Sequence, residues 1–295
     1  MTFTTLASSQ SAFSIQEWME DSPEYPPQLR DLRLRPTSLF AIGNRELLDR
    51  PRIAVVGTRN STAYGERVTR NLGVAFARAG VTVVSGMARG IDSKAHRTAL
   101  DQSAGTVAVL GTGIDVPYPV GHRALHRSIA TAGLVLSENP PGKTAYQGAF
   151  PRRNRIIAAL STLTIVIEAD FRSGAINTAS QALELGRHVG AVPGPIDVDQ
   201  SRGTNQLLKD GAHVITTPQD ALDLIGLHLP PDKPPPPLLP DTEQKVWDSL
   251  ADGMKLSDDL PALTELSLAE CLAAITSLEI MGLVECTLAG EIRRR

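Results

Sequence analysis

The sequence predicts an α/β protein with a doubly wound, Rossmann-like, mostly parallel sheet, followed by a small C-terminal winged-helix domain. Three observations carry this prediction. Short runs rich in valine and isoleucine alternate with helical segments between residues 50 and 227. Nearly all of these runs end in a loop of small residues. A proline-rich spacer then separates this alternating part from three short helical segments and a hairpin.

Seven segments are expected to be strands, because apolar and β-branched residues fill them and turn-forming residues bound them. They are residues 53–56, 81–84, 106–110, 134–136, 163–167, 188–192 and 213–215. Helices are expected between the strands, and such alternation is typical of a parallel sheet covered on both faces. Their predicted ranges are 65–79, 91–102, 122–131, 152–160, 175–185, 203–209 and 218–225.

The chain is predicted to have four parts. Residues 1–49 form a short lead-in, residues 50–227 the Rossmann-like domain, residues 228–240 a proline-rich linker and residues 241–295 the winged-helix domain. The linker backbone should be extended and stiff. The net charge of −3 is unevenly spread, because residues 241–295 hold 11 acidic and 5 basic side chains. The large domain is therefore mildly basic, and the small one is acidic.

The small domain follows the order of a winged helix-turn-helix, with helices expected at 243–250, 257–263 and 268–278 before the hairpin. The helix that would enter a DNA groove carries Glu270 and Glu279 and has no lysine or arginine. Helices that read DNA usually present basic or amide side chains. A packing or protein-contact role is therefore favoured over duplex reading.

Composition also bears on the compartment. Cys271 and Cys286 cannot form a disulfide framework, and no metal-ligand spacing surrounds them. Residues 1–13 lack a basic segment followed by an apolar one, and no apolar run approaches the length of a membrane span. We expect a cytoplasmic protein without a membrane span, metal or cofactor.

The stretch at residues 150–160 carries the strongest chemical signal. Phe150 is followed by Arg152, Arg153, Asn154 and Arg155, and an apolar run then begins what reads as a buried helix. Cations beside exposed N–H groups at a helix start suit an anion, and an aromatic ring offers a stacking face for a base. The alternative is a surface arginine cluster that solvates a helix end.

Loops of small residues follow the predicted strands, and parallel strands place such loops at one edge of the sheet. Glycines let a ligand approach the backbone, while hydroxyl and N–H groups can bind phosphate oxygens. Each glycine alone is explained by a turn, but the set favours a phosphate-bearing ligand. The loop residues singled out are Gly57, Thr58, Arg59, Ser85, Gly86, Arg89, Gly90, Ser173 and Gly174, with Lys143 upstream of Phe150.

Known nucleotide and catalytic motifs do not match. The segment after residue 56 is not a G-x-G-x-x-G fingerprint, and the Gly142-Lys143-Thr144 triplet lacks the first glycine of a Walker A motif. Asp92 and His96 lie four apart, but Asp92 is expected to cap the helix and His96 to pack beside the loop. No set of nucleophile, base and orienting group stands out.

On these motifs the chain resembles the DprA family, also called Smf, the DNA-processing proteins of natural transformation. The resemblance covers about residues 25–226, and residues 241–295 are similar to the winged-helix domain often found at the family's C-terminus. The motifs are Gly57-Thr-Arg59, residues 85–92 with His96, Tyr118-Pro119, Ser137-Glu138, residues 150–155, Glu168-Ala169, Ser173-Gly174, Pro193-Gly194, residues 203–205 and Gly211-Ala212.

The resemblance implies a non-enzymatic protein that binds single-stranded DNA, forms a homodimer and loads RecA on the incoming strand. It implies phosphate contacts from Arg59 and from the arginines at 152–155, and stacking of a base on Phe150. It also implies close approach of the strand to the backbone of Gly57, Gly86 and Gly174. It places the dimer and RecA surface late in the large domain, near Leu207, Leu208, Val214 and Ile225.

Two departures from the family pattern stand out. Many members have a longer N-terminal helical module, and a basic residue often lies where this chain has Gln147. The runner-up function is a nucleotide phosphoribohydrolase of the LOG type, in which Glu168 or Glu184 would assist glycosidic cleavage. Its P-G-G-x-G-T motif is replaced here by residues 173–178, which lack two of the three glycines. A third reading is a duplex-binding regulator acting through the acidic domain.

Overall fold

The computed structural model describes residues 13–230, 239–251, 253–287 and 290–294. The chain divides into two compact units, one ending at Pro230 and one beginning at Pro231. Most of the linker predicted at 228–240 and the start of the lead-in lie outside the described residues. None of the helices in the described part of the chain has the length and apolar character that crossing a membrane requires.

The first unit is built on a nine-stranded sheet, and the prediction of a mostly parallel sheet is confirmed. The strand order is β1-β2-β6-β5-β4-β3-β7-β8-β9, with the last seven of these strands parallel. The strands are β1 (Gln16–Met19), β2 (Ser38–Gly43), β3 (Arg52–Val56), β4 (Thr82–Ser85), β5 (Thr106–Leu110), β6 (Leu134–Ser137), β7 (Leu163–Val166), β8 (His188–Ala191) and β9 (His213–Val214).

Seven α-helices accompany these strands in the described part of the first unit. They are α1 (Ala63–Arg78), α2 (Ile91–Asp101), α3 (Arg123–Ala132), α4 (Ala149–Leu160), α5 (Gly174–Glu184), α6 (Asp199–Lys209) and α7 (Pro218–Asp223). Helix α4 begins three residues before its predicted start, so that Phe150 and Arg152 lie in its first turn.

Buried hydrophobic clusters on both faces of the sheet hold the unit together, and two of them meet along β3. Along β3, Ile53 and Val55 pack in one buried cluster, while Ala54 and Val56 pack in another. This alternation follows from the two-residue period of a strand. The first cluster includes Phe76 of α1, and the second contains residues 156–160 of α4. Helices on both faces explain why the parallel strands read as continuous apolar runs.

The lead-in contributes strands that the sequence analysis did not predict. β1 and β2 form an antiparallel pair, and β2 pairs antiparallel with β6 at residues 40–43 and 134–137. Prolines 23, 26, 27 and 36 interrupt the segment between them, so neither strand shows a long regular pattern. Tyr25, fully buried, donates a hydrogen bond to the carbonyl of Pro36 at 2.6 Å and anchors this connection.

The second unit has helices α8 (Asp241–Ser249), α9 (Leu260–Thr264) and α10 (Leu268–Ile280). A three-stranded sheet of β10 (Lys255–Leu256), β12 (Glu291–Arg294) and β11 (Val284–Cys286) completes it. This order of helices and hairpin is that of a winged helix. Glu270 forms a capping box with Ser267 at the start of α10, where both carboxylate and hydroxyl satisfy backbone N–H groups.

Candidate functional site

The candidate site lies at the carboxyl ends of the parallel strands. The chain builds the sheet from β3 to β6 in one direction and from β7 to β9 in the other, so the strand order reverses between β3 and β7. Ligands of open α/β sheets bind at such a reversal. Two adjoining clefts, of about 480 and 580 Å³, open there and share Arg59, Ala88, Phe150 and Arg153 in their walls.

Phe150 stands at the boundary between the two clefts and is only half-buried. Its ring centroid lies 5.0 Å from that of Tyr118, with the ring planes tilted by 35°. The Arg59 guanidinium lies 5.5 Å from the Phe150 centroid, within cation–π distance. A Cβ atom at Gly111 would come within 2.9 Å of the ring, so glycine is needed beneath it. The aromatic pair therefore belongs to the clefts and to neither buried core.

Exposed guanidinium groups surround the aromatic pair. Arg59 and Arg89 line the first cleft, and Arg59 and Arg172 line the second. Among the described residues, none of these three has an ion-pair partner. Arg59 does not pair with Glu168, because Glu168 accepts hydrogen bonds from the backbone and hydroxyl of Thr62. Three free cations beside an aromatic face suit a phosphate-bearing ligand with a base.

The arginines at 153 and 155 point inward, which corrects the expectation of phosphate contacts there. Arg153 is 4% exposed and donates to the carbonyl oxygens of Gly86, at 2.7 Å, and Val109. Burial lowers the pKa of its guanidinium to about 10, and the nearby Asp92 opposes that shift. Arg153 therefore ties the loop after β4 to the end of β5 and forms the floor shared by both clefts.

Arg155 is committed to a buried ion pair. Its Nη2 lies 2.7 Å from Oε2 of Glu138, and the two side chains are 9% and 4% exposed. Its Nε donates to the carbonyl of Leu34 at 2.9 Å. Arg152 is exposed but also contacts Glu138, at 3.2 Å. Asn154 donates to the carbonyl of Gly174 at 3.1 Å and so joins α4 to α5.

The predicted loop residues also divide into those that line the clefts and those that do not. Gly57, Thr58, Gly86, Ser173 and Gly174 line the clefts, as the sequence indicated. Ser85 does not, because it is fully buried and donates to the carbonyl of Val55. Gly90 has φ of +72° and its Cβ position lies 2.3 Å from the carbonyl of Thr58, so only glycine fits. Lys143 is exposed, lies over the Tyr146 ring at 5.5 Å and lines neither cleft.

Asp92 and His96 serve the architecture of the site. Asp92 is not the helix cap that the sequence analysis expected; the cap position is Gly90, and the carboxylate accepts from the backbone N–H groups of Gly86 and Ala88. Burial raises the pKa of Asp92. His96 is fully buried, with Nδ1 2.7 Å from the Thr106 hydroxyl, and burial lowers its pKa to about 3.

Neither glutamate of the runner-up function is free at the rim. Glu168 is 2% exposed and holds Thr62 at the start of α1. Glu184 lies at the opposite end of α5 from the clefts, ten residues after Gly174. Within the described residues no group of three or more His, Cys, Asp or Glu side chains could hold a metal ion.

Three residues of this site were not predicted from the sequence. Tyr118 was identified only as part of a motif, and Asn60 and Arg172 were not singled out. The sequence does carry a signal for Arg172, since it lies in the loop that follows the predicted strand at 163–167. Tyr118 reaches the site from the long loop after β5, and local sequence pattern does not specify that approach.

The predicted dimer surface is distributed over exposed and buried positions. Leu207 and Ile225 pack against the two cores, and Leu208 is half-buried. Val214 is 53% exposed on β9, the last strand at its edge of the sheet. Of the four residues, Val214 is the one that offers a free apolar side chain.

The fold and the site together define an α/β protein in which free guanidinium groups and an aromatic face line the clefts at the carboxyl ends of the parallel strands. The chain belongs to the DNA recombination-mediator protein A family, whose model matches residues 16–226. The model of the DprA winged helix domain matches residues 230–290.

Several known proteins are similar to this chain. Protein Smf of Escherichia coli is 37% identical over 285 residues, which cover 93% of this chain and 76% of that protein. The X-ray structure of DNA processing protein A from Streptococcus pneumoniae is 38% identical, with a TM-score of 0.69, and the match covers 72% of this chain and 75% of that one. The corresponding structure from Helicobacter pylori, described for its single-stranded DNA binding mode, is 31% identical with a TM-score of 0.67 and covers 74% and 99%.

Proposed function

We propose that this chain binds single-stranded DNA along the two clefts, with a base stacked on the pair formed by Phe150 and Tyr118. The observation that carries the proposal is the position of Phe150 between the two clefts, next to Tyr118 and beside the free guanidinium of Arg59. In this assignment Arg59, Arg89 and Arg172 contact phosphates. Arg153 forms the floor beneath the strand, and Arg155, paired with Glu138, lies outside both clefts.

Single strands are preferred over duplex because stacking on a protein ring needs an unstacked base. In a duplex the base faces are covered by neighbouring bases, and exposing one costs a few kcal/mol. Every base has a π-face, so such a site discriminates little between sequences. Helix α10 offers no lysine or arginine to a duplex groove.

Family membership and the Helicobacter pylori relative, described for single-stranded DNA binding, support this proposal. We extend it to protection of incoming DNA and RecA loading during natural transformation by a cytoplasmic homodimer that catalyses no reaction itself. A test of the extension is the rate at which RecA hydrolyses ATP on single strands precoated with single-strand-binding protein. Addition of this chain should raise that rate, and an unchanged rate would refute RecA loading.

The binding site is tested by two substitutions that should both weaken binding but differ in their effect on its salt dependence. Phe150→Ala should weaken binding of oligo(dT) roughly tenfold or more, since base stacking contributes about 1–3 kcal/mol. Its salt dependence should stay unchanged, because no charge is lost. Arg59→Ala should weaken binding and flatten the log–log salt slope by about 0.7, the value for one phosphate contact.

Fluorescence anisotropy at several salt concentrations measures both effects, with thermal unfolding of each variant alongside. Arg127→Ala is the matched control, because Arg127 is exposed on α3 and lies outside both clefts. Equal or tighter binding of duplex than of single strands would refute the proposal. Full affinity in a stable Phe150→Ala protein would remove the stacking role.

A further inference from the structure

A second basic surface begins at the edge of the central clefts and runs along α2. A cleft of about 330 Å³ is lined by Arg59 and Asn60, which also line the first central cleft, and by Lys94 and Arg97. A further cleft of about 260 Å³ shares Lys94 and Arg97 with it and adds Arg70 of α1. Shared wall residues make the three clefts one continuous path.

The path follows one face of a helix. Gly90, Lys94, Arg97 and Asp101 recur at intervals of three and four residues, which places them on the same side of α2. Eleven residues of helix span about 16 Å. At the roughly 3.4 Å per nucleotide of a stacked strand, this length accommodates about five nucleotides.

Charge along the path favours an anionic chain. Arg70 and Arg97 are exposed, and among the described residues neither has an ion-pair partner. Lys94 lies 3.8 Å from Glu66, a long contact that leaves the ammonium available. Glu66 and Asp101 are the acidic residues lining the path, against four cations including Arg59. Hydroxyls of Ser61 and Ser93 also line it.

We propose that the DNA strand, on leaving the aromatic pair, passes Arg59 and continues along α2, with phosphates on Lys94, Arg97 and Arg70. This inference rests on the proposed function and extends the site beyond the strand ends. The central clefts alone engage a short oligonucleotide. The α2 path is occupied only when the strand is longer.

The test compares oligo(dT) of about 6 and about 16 nucleotides, within the range of site sizes known for single-strand binders. The variant is Arg70→Gln with Arg97→Gln, which keeps the aliphatic stems and removes two charges. Affinity for the short strand should match wild type. Affinity for the long strand should fall about 25-fold at 0.1 M salt, because two phosphate contacts at a slope of about 0.7 each are lost.

The matched control is Arg33→Gln with Arg127→Gln, two exposed arginines outside the path, which should bind both strands like wild type. Asp101→Asn removes an acidic side chain from the path and should therefore tighten binding of the long strand only. Wild-type affinity of the Arg70/Arg97 variant for the long strand overturns the α2 path, while leaving the central site intact. An equal loss for both lengths also overturns it. Absence of binding by the wild type would refute the proposed function itself.

Discussion

Replacement of Arg155 by methionine tests whether this arginine has a structural role or contacts DNA. Its guanidinium makes two contacts with Glu138, at 2.7 and 3.2 Å, and donates to the carbonyl of Leu34. Arg155→Met leaves the Glu138 carboxylate, 4% exposed, without its main partner. Breaking a buried pair costs about 3–5 kcal/mol, because one charge is left uncompensated. Arg152, 60% exposed, keeps a contact with Glu138 at 3.2 Å, so the lower end is expected.

A loss of about 3 kcal/mol corresponds to a fall in melting temperature of about 6–12 °C for a unit of some 200 residues. The assay is thermal unfolding combined with anisotropy titrations of single-stranded DNA at several salt concentrations, below the unfolding transition. The salt slope of the variant should equal that of wild type, since Arg155 touches no phosphate in our assignment.

Glu138→Gln in the Arg155→Met background should recover much of the lost stability, because neutralising both partners removes the unpaired charge. The double-mutant cycle then measures the coupling between the two residues. A stable Arg155→Met protein with a salt slope flatter by about 0.7 would refute the reasoning and restore Arg155 to the DNA site.

Four further predictions follow from the same structure. Gly86→Ala should lower the melting temperature and weaken DNA binding, because the new Cβ would lie 2.5 Å from the guanidinium of Arg153. Hydrogen bonds to two carbonyls hold that guanidinium in place, and an unaffected variant would show that the Arg153 side chain can move. The pKa of His96, about 3 when folded against 6.5 when unfolded, makes the folded state lose stability as pH falls below 6.5, by about 1.4 kcal/mol at pH 5.5. Urea unfolding of wild type and His96→Gln at pH 7.5 and 5.5 measures this, and an equal pH dependence would contradict it. Val214→Glu should convert the expected dimer to monomer in light scattering, and a wild type that is already monomeric at micromolar concentration would exclude this dimer. Truncation after Pro230 should retain most of the affinity for single strands, and a large loss from a folded fragment would assign DNA binding to the acidic domain.

The sequence by itself determined the alternation of strands and helices in the first unit. Local pattern sufficed there, because a buried parallel strand is apolar at every position and ends in a turn. The same logic placed Gly57, Gly86 and Gly174 at one edge, since parallel strands all end on the same side of a sheet. Arg59 was identified as a site residue for this reason, and Phe150 as the aromatic residue before an arginine-rich helix start. The structure brings the Arg59 guanidinium within 5.5 Å of the Phe150 ring centroid.

Tertiary structure alone decided which arginines are free. Nothing in the local sequence distinguishes Arg153 and Arg155 from Arg152, because all three lie in the first two turns of α4. The partners that draw Arg153 inward are the carbonyls of Gly86 and Val109, 67 and 44 residues away. A charged side chain is stable inside a protein only where it finds hydrogen-bond acceptors, and for Arg153 those acceptors come from segments distant in the sequence. The pairing of β2 with β6 is non-local in the same way, which is why the sheet's antiparallel edge emerged only in three dimensions.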